Sequence, residues 1–212
     1  MIGTINEIFY SLQGEVPGLG EPSIFIRFTG CSMGCSWCDS KYAFDEGKKM
    51  SSAQVADEVK RLSNLHNTNN VIITGGEPTE QLEFLNELVE YSLTNYNVSL
   101  ETNGQDIPVN YRHYNRIVVS PKKLTQDMKP IMRLYSKLPN VTFKIVYVSS
   151  TGVTKLIRVF DLPKDKIVIM PKGGTRQELR ENIKKVWEFC HLHGYRMGYR
   201  LHIEIFDTKR GV

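Results

Sequence analysis

Short apolar segments recur along the chain and alternate with longer segments whose apolar residues follow a helical repeat. The apolar segments are five to eight residues long and predict strands at residues 23–29, 70–74, 98–102, 116–120, 141–148 and 166–170, with a last strand at 199–206. Strands that alternate with helices form mainly parallel sheets in α/β proteins. The pattern therefore predicts a single α/β domain over residues 1–212, with no repeat or linker that divides it.

Three helices are predicted from apolar residues that repeat at helical spacing. Ser51 or Ser52 can cap the first of them. The third carries Cys190 on its apolar face, where cysteine behaves as a small hydrophobic residue, so no functional role is assigned to it. The apolar positions of the three helices are, in chain order, Val55, Ala56, Val59 and Leu62; Leu82, Leu85, Leu88 and Val89; and Leu179, Ile183, Val186 and Cys190.

Polar residues alternate with apolar ones in four of the predicted strands, although a buried parallel strand is usually apolar on both faces. Arg27, for example, stands between Ile26 and Phe28. Solvent exposure explains such a pattern in an edge strand, but a shared polar interior explains it better for the whole array. We therefore predict a partial, open TIM-like β/α barrel of about six parallel strands, with sites at the carboxyl ends of the strands. The other polar positions of the pattern are Ser99, Glu101, Thr142, Lys144, Arg200, His202 and Glu204.

The composition is that of a soluble globular protein, with 41% hydrophobic and 24% charged residues among 212. The 27 basic residues are scattered and the net charge is only +4, so nucleic-acid binding is not predicted. No stretch of 18 apolar residues predicts a membrane span, and the N-terminal segment lacks the basic start and apolar core of a signal peptide. We therefore expect a cytoplasmic protein whose four cysteines serve metal or redox chemistry rather than disulfides.

Three cysteines, Cys31, Cys35 and Cys38, lie in one short segment with the spacing C-x3-C-x2-C and no fourth cysteine nearby. Iron–sulfur clusters are usually held by four cysteines, so three cysteines predict a 4Fe–4S cluster with one iron open to a small molecule. A structural zinc site needs a fourth ligand, and no histidine stands in a ligand-like pair with this segment. A thioredoxin-type redox pair would use Cys35 and Cys38 alone and would leave Cys31 unexplained.

The cysteine spacing resembles the cluster motif of the radical S-adenosylmethionine (SAM) superfamily. The resemblance implies that SAM binds the open iron through its amino and carboxylate groups and is cleaved to a 5′-deoxyadenosyl radical, which removes a hydrogen atom. The cofactor then carries the difficult chemistry, while the protein positions it and excludes competing reactions. Trp37, between the last two cysteines, is expected to shield the cluster, with an ordinary buried aromatic residue as its alternative role.

Four strand ends after the cysteine segment carry further motifs of the same resemblance. The runs GGEP at 75–78, ETNG at 101–104, SPK at 120–122 and MPKG at 170–173 each lie where a predicted strand ends. Paired glycines let the backbone approach a ligand closely, although each run read alone is only a turn signal. The resemblance implies SAM contacts for Trp37, Cys38, Asp39, Gly76, Glu77, Glu101, Asn103, Ser120, Pro121, Lys122, Met170, Pro171, Lys172 and Gly173.

The first forty residues narrow the resemblance. The runs NEIFYSLQGE at 6–15 and PSIFIRF at 22–28, the cysteine loop that ends in CDS, and KRGV at 209–212 are similar to the 7-carboxy-7-deazaguanine synthases. This resemblance covers nearly the whole chain. It implies conversion of 6-carboxy-5,6,7,8-tetrahydropterin to 7-carboxy-7-deazaguanine with loss of ammonia, a lyase step of queuosine-type 7-deazapurine biosynthesis. It also implies a homodimer and an electron-donor protein such as a flavodoxin, whose approach the net positive charge can favour.

The same resemblance assigns the substrate and metal residues. Arg27 offers a planar donor fork for the pterin carboxylate, with a structural ion pair as its alternative role because buried charges are usually paired. A Mg2+ ion is expected on the hydroxyl of Ser40, since Mg2+ prefers oxygen ligands, and a turn or cap is the alternative role for this serine. The other expected substrate contacts are Leu12, Gln13, Gly14, Glu15, Thr74 and Val212.

Two other functions remain open on the sequence. One is a small radical SAM activase that removes hydrogen from a protein glycine; the LQGE run, Arg27 and Ser40 favour a small anionic substrate over it. The other is a non-catalytic iron–sulfur or zinc module, which needs a fully ligated cluster or a fourth zinc ligand. The iron, sulfide and zinc contents of anaerobically purified protein distinguish such a module from an enzyme with an open cluster.

Overall fold

The computed structural model describes residues 1–212 and contains one nine-stranded sheet with helices packed against it. The strands are β1 (Ile2–Leu12), β2 (Pro22–Phe28), β3 (Lys48–Ser51), β4 (Asn70–Gly75), β5 (Asn97–Thr102), β6 (Arg116–Val119), β7 (Val141–Tyr147), β8 (Ile167–Pro171) and β9 (Arg196–Met197). The helices are α1 (Ser52–His66), α2 (Leu82–Glu87), α3 (Met128–Lys137), α4 (Ser150–Phe160), α5 (Arg176–His193) and α6 (Leu201–Phe206). A π-helical turn at Leu88–Ser92 prolongs α2.

The strands lie in the order β3-β1-β2-β4-β5-β6-β7-β8-β9. Every pair from β2 to β9 is parallel, whereas β1 runs antiparallel between β2 and β3. The six strands predicted for the parallel array are confirmed, each to within one residue at either end. Residues from β2, β4, β5, β7 and the end of β6 line one shared cavity, which confirms the predicted partial barrel.

The predicted helices are also confirmed. Ser51 caps α1, because its hydroxyl accepts from the Gln54 amide at 3.2 Å while the Gln54 side chain accepts from the Ser51 amide at 2.8 Å. This reciprocal pair satisfies two donors that a helix start otherwise leaves unpaired. Cys190 is 5% exposed on the inner face of α5, as its spacing predicts. None of the helices is long and apolar enough to cross a membrane.

The strand predicted at residues 199–206 is wrong, because most of this segment forms α6. The sheet ends at β9, which pairs with β8 over only two residues. Arg176 of α5 then binds the end of α6, with its Nε donating to the Glu204 carbonyl at 2.7 Å and its Nη2 to the Ile205 carbonyl at 2.8 Å. These are carbonyls that a helix end leaves without internal partners. Only Ile203 of α6 is buried, so the alternating pattern does not reflect a sheet face.

No strand is predicted over β1, although it is the longest strand of the sheet at 11 residues. Its pairing with β2 shifts register between Ile5 and Glu7. Such an irregularity interrupts the two-residue alternation on which strand prediction depends. The polar and apolar positions of β1 therefore do not follow one repeat along the strand.

The loop between β1 and β2 closes the open side of the barrel. Its residues 13–15 are buried, and the Gly14 carbonyl accepts from the Leu201 amide at 2.8 Å. Gly198, just after β9, has no room for a side chain, because a Cβ there would lie 2.7 Å from Val16 Cγ2. The loop thus contacts the segment that follows β9, at the far end of the sheet, and places residues 13–15 inside the barrel.

Candidate active site

A cavity of about 1220 Å³, measured out to its open mouth, lies at the carboxyl ends of the parallel strands. Two parts of its lining differ in construction. We call the first the cluster wall; it consists of residues 30–40 and the turn at 75–77. We call the second the ion-paired wall; it consists of Glu15, Glu101, Lys144 and Arg200.

The cluster wall carries three free thiols. Cys31, Cys35 and Cys38 are each half-buried and form no disulfide. Gly30 leads into them with a φ of +96°, a conformation that favours glycine, and so turns the chain out of β2. Burial raises the pKa of the Cys31 and Cys38 thiols, and the charge of Asp39 adds to the effect at Cys38. A bound metal ion reverses this tendency, because a coordinating thiol is deprotonated.

The turn at 75–77 packs directly on the cysteine loop. Gly76 has no room for a side chain, because a Cβ there would lie 1.9 Å from the Gly30 carbonyl oxygen, and the Glu77 amide donates to that same oxygen at 2.7 Å. Burial raises the pKa of Glu77 even though its carboxylate accepts four hydrogen bonds. The turn therefore fixes the cysteine loop and ties it to β5. The four donors are Thr79 N, Thr79 Oγ1, Thr102 Oγ1 and Asn103 N.

Alternating charges hold the ion-paired wall together. Lys144 Nζ binds the carboxylate of Glu15 and lies 3.5 Å from Glu101 Oε2. Burial disfavours the charged forms of Glu15 and Lys144. The positive charges of Lys144 and Arg200 nevertheless hold the pKa of Glu15 well below its usual range. The negative charges of Glu101 and Glu15 raise the pKa of Lys144. The wall is therefore charged at neutral pH, with each buried charge compensated by a neighbour.

Arg200 joins the two walls. Its Nη1 donates to the carboxylate of Asp39, the residue after the last cysteine of the loop, and to the Gly173 carbonyl at 3.1 Å. Its Nε lies 3.3 Å from Glu15 Oε1, close enough for an ion pair but not aligned for a hydrogen bond. Burial opposes the positive charge, but Asp39 and Glu15 raise the pKa of Arg200. One side chain thus links the cysteine loop to the ion-paired wall and to the loop after β8.

Two further cations line the cavity. Lys122 has no carboxylate partner and donates only to Ser120 Oγ; burial, with the positive charges of Lys144 and Arg200, lowers its pKa to about 8. Arg27 Nε donates to Glu7 at 2.8 Å, and no other hydrogen bond holds its guanidinium group. The terminal nitrogens of Arg27 and the ammonium group of Lys122 are therefore available to anionic ligands.

Most of the residues predicted for the site line this one cavity. Trp37 is among them, and its indole nitrogen is buried without a hydrogen-bond partner. Five predicted SAM contacts do not line it, namely Pro121, Met170, Pro171, Lys172 and Gly173, and their role stays a prediction. The predicted residues that do line it are Leu12, Gln13, Gly14, Glu15, Arg27, Cys31, Cys35, Trp37, Cys38, Asp39, Ser40, Thr74, Gly76, Glu77, Glu101, Asn103, Ser120, Lys122 and Val212.

Known proteins share both the sequence and the fold of this chain. The chain matches the model of the Radical SAM superfamily over residues 25–188. It is 32% identical over 218 residues to the 7-carboxy-7-deazaguanine synthase of Pyrobaculum aerophilum, which covers 98% of this chain and 96% of that protein. The chain belongs to the 7-carboxy-7-deazaguanine synthase family.

One further relative agrees with this family, and one solved structure shares the fold. The 7-carboxy-7-deazaguanine synthase of Aquifex aeolicus is 32% identical over 188 residues, with 85% of this chain and 82% of that protein covered. The crystal structure of QueE from Escherichia coli shares the fold, with a TM-score of 0.73, 24% identity and 95% of each chain covered.

Membership of the radical SAM superfamily implies a 4Fe–4S cluster and SAM, and the cysteines of this synthase fit that cluster. All three cysteines lie in one short loop at the cavity and form no disulfide, so their thiols are available as ligands. Three thiolates leave one iron of such a cluster without a protein ligand. Glu15, Asp39 and His202 also bring potential ligand atoms close together, but this set contains no cysteine.

Three residues of the synthase cavity with ionisable side chains are missing from the set predicted from the sequence, namely Lys144, Arg200 and His202. All three belong to the alternating polar positions that predict a polar barrel interior. For Lys144, which lies on β7, the alternation correctly predicts a side chain inside the barrel. For Arg200 and His202 the alternation is misleading, because these residues reach the cavity from a loop and a helix rather than from a strand.

Proposed function

We propose that this synthase converts 6-carboxy-5,6,7,8-tetrahydropterin to 7-carboxy-7-deazaguanine with loss of ammonia, as a step of queuosine-type 7-deazapurine biosynthesis. The observation that carries the proposal is the meeting of three free thiols and a buried charged wall in one cavity. The names of the relatives agree with the product. When bound, the cluster and SAM supply the radical that removes a hydrogen atom from the substrate.

Gln13 is proposed to read the hydrogen-bonding edge of the pterin. Its side chain is fixed at both ends, because its Oε1 accepts from the Glu15 amide at 3.1 Å and its Nε2 donates to Glu101 Oε1 at 3.1 Å. A polar group held in this way has little rotational freedom left to lose on binding. Gly14 and Thr74 line the cavity with it, and Thr74 Oγ1 donates to Glu101 Oε2 at 3.1 Å.

Arg27 is proposed to bind the carboxylate of the pterin. The rings of Phe9 and Tyr42 lie 5.7 and 5.5 Å from its guanidinium carbon, and Glu7 holds its Nε. The ion pair that is the alternative role of Arg27 is therefore present, and it leaves the terminal nitrogens free to bind an anion. Arg27→Lys keeps the charge but loses the fork, so we expect turnover to fall sharply while SAM cleavage persists.

Ser40 is proposed to hold a Mg2+ ion that orients the pterin. It lines the cavity, and its hydroxyl lies 3.0 Å from Asp39 Oδ1. Mg2+ commonly keeps water and substrate oxygens in its shell, so one protein oxygen is sufficient. We expect Ser40→Ala to lose both turnover and its dependence on added Mg2+, and Ser40→Thr to keep both. An intact substrate complex with no ion on Ser40 would contradict the assignment.

The experiment that tests the proposed function is an anaerobic incubation with reductant, SAM, Mg2+ and the carboxypterin, followed by mass analysis. We expect wild-type protein to form 7-carboxy-7-deazaguanine and ammonia, and Cys31→Ala to form neither. An unchanged pterin in the presence of an intact cluster and SAM cleavage would reject the substrate.

We further propose a homodimer and an electron-donor protein such as a flavodoxin. The homodimer rests on the family resemblance alone, and the electron donor rests on that resemblance and on the net charge of +4, which favours an acidic partner. Sedimentation of the purified enzyme tests the first. Turnover driven by reduced flavodoxin in place of a chemical reductant tests the second.

A further inference from the structure

The barrel contains a second cavity below the first. It offers about 250 Å³ of space to the centres of water-sized molecules and lies toward the amino ends of the same strands. Ser99 lines it and Glu101, two residues further along β5, lines both cavities. Because side chains two apart on a strand share a face, the second cavity is the lower part of the same barrel interior.

Residues 13–15 divide this interior. Gln13 lines both cavities, and its hydrogen bond to Glu101 at 3.1 Å crosses between the loop and β5. Gln13, one of the substrate contacts proposed above, and Glu101 are the two residues that line both cavities, so they lie at the boundary between them.

The lower cavity is polar, whereas the interior of a closed TIM barrel is packed with branched apolar side chains. The hydroxyl of Ser99 makes no hydrogen bond in the structure, and this residue lies between Ile72 of β4 and Arg116 of β6. At the mouth, Arg116 pairs with Glu21 at 2.7 Å, and both side chains are about two-fifths exposed. The cavity therefore reaches solvent at the amino ends of the strands through a polar rim.

We propose that the lower cavity is the route by which ammonia leaves the enzyme. The inference rests on the proposed function, in which ammonia forms while the upper cavity also holds the nucleoside cofactor and the bicyclic product. Ammonia is about the size of water, and one water-sized probe needs only about 10–15 Å³. The passage adds no chemical step, since it only moves a product that the proposed reaction already forms.

The geometry suits a small polar product. Glu101 and Gln13 offer it hydrogen bonds at the boundary, and Ser99 offers the next one below. Passage needs only the hydrogen bond from Gln13 Nε2 to Glu101 Oε1 to open, which leaves Gln13 held by the Glu15 amide and moves no strand. The pterin and the nucleoside are too large to pass where only one hydrogen bond opens, since Thr74 still binds the Glu101 carboxylate at this boundary.

Ser99→Leu tests the route, since it places a branched apolar side chain in the lower cavity, two residues before Glu101 on the same face of β5, and changes no proposed substrate contact. In a single turnover of the cluster-loaded enzyme, an ammonia-consuming coupled assay measures free ammonia, acid quenching measures total ammonia, and rapid filtration measures released product. For the wild type and for Ser99→Ala we expect free ammonia to follow total ammonia and to precede product release. For Ser99→Leu we expect total ammonia within about twofold of wild type and free ammonia delayed until product release.

The outcomes separate the route from the reaction. A wild-type enzyme that forms no ammonia rejects the proposed function. Two outcomes reject the route alone. In the first, the wild type forms ammonia but releases it only together with the product. In the second, Ser99→Leu releases free ammonia as early as the wild type does. If circular dichroism shows that Ser99→Leu does not fold, Ser99→Val makes the same test with a smaller side chain, and an undelayed release then rejects the route.

Discussion

The cluster wall and the ion-paired wall line one cavity, but different interactions hold them in place. The cluster wall depends on glycine turns and backbone hydrogen bonds, such as that from Glu77 to Gly30, and its three thiols form no disulfide. The ion-paired wall consists of charged side chains that compensate one another. Free thiols can accept a cofactor, whereas removing one of the buried charges leaves another unpaired. On the proposed function, the cluster wall holds the reactive group and the ion-paired wall supports the residues that bind the substrate.

The largest effect is expected on the cluster wall. Replacing Cys31, Cys35 or Cys38 by alanine should abolish cluster binding and SAM cleavage, because each supplies one of three thiolates. The matched control is Cys190→Ala, which removes a buried thiol on α5 and should cost only about 1 kcal/mol of stability. Iron and sulfide analysis and urea unfolding measure the two effects. Loss of the cluster in Cys190→Ala would overturn the ligand assignment.

A stability effect is expected on the ion-paired wall. Lys144→Met should lower the free energy of unfolding by about 3–5 kcal/mol, because it leaves Glu15 and Glu101 without their shared cation. Arg180→Met is the control, since the Arg180 side chain is 65% exposed and solvent screens its pair with Glu204, so this pair should contribute little to stability. Urea unfolding of both variants makes the comparison, and equal losses would mean that burial does not distinguish these pairs.

A smaller effect is expected in the pH dependence of the two walls, with opposite signs. The pKa of Glu15 is depressed, so its contribution to stability is present above pH 4.5 and is lost as the pH falls below that value. The pKa of Glu77 is raised, so the wild type gains stability as the pH falls toward 4.5. Each effect is at most about 1.4 kcal/mol per pH unit.

Unfolding of cluster-free Glu15→Gln and Glu77→Gln between neutral and acid pH measures this difference. The stability advantage of the wild type over Glu15→Gln should shrink below pH 4.5. As the pH falls from neutral to 4.5, the stability of the wild type should increase relative to that of Glu77→Gln. Shifts of the same sign in both variants would show that the two walls do not differ in this respect.

Local patterns in the sequence predict the cluster wall and the parallel strands well. The cysteines and the turn at 75–77 lie next to the strands that position them, so short segments contain most of the information. β1 is missed because the register shift between Ile5 and Glu7 interrupts its alternation. The segment of Arg200 is misread because the carbonyls at the end of α6 are satisfied by Arg176 from another helix.

The ion-paired wall is harder to predict because its contacts join distant parts of the chain. Lys144 binds Glu15 across 129 residues, and Arg200 binds Asp39 across 161. The alternation around Lys144 predicts a polar barrel interior but gives no partner for the charge. Only the fold shows that the loop after β1 enters the barrel and brings Glu15 to Lys144 and Arg200.

Arg200→Lys tests most directly the claim that the two walls act together. Lysine keeps the charge, but its single nitrogen cannot replace a guanidinium group that contacts Asp39, Gly173 and Glu15. In the cluster-loaded variant we predict an iron content and a rate of SAM cleavage near those of the wild type. We predict that 7-carboxy-7-deazaguanine formation falls by about 10- to 100-fold, since misplacement of a bound substrate by about 1 Å can cost 100-fold in rate. Deoxyadenosine and product measured in the same samples by mass analysis give the result, and a variant in which both fall equally, or neither falls, would contradict the account.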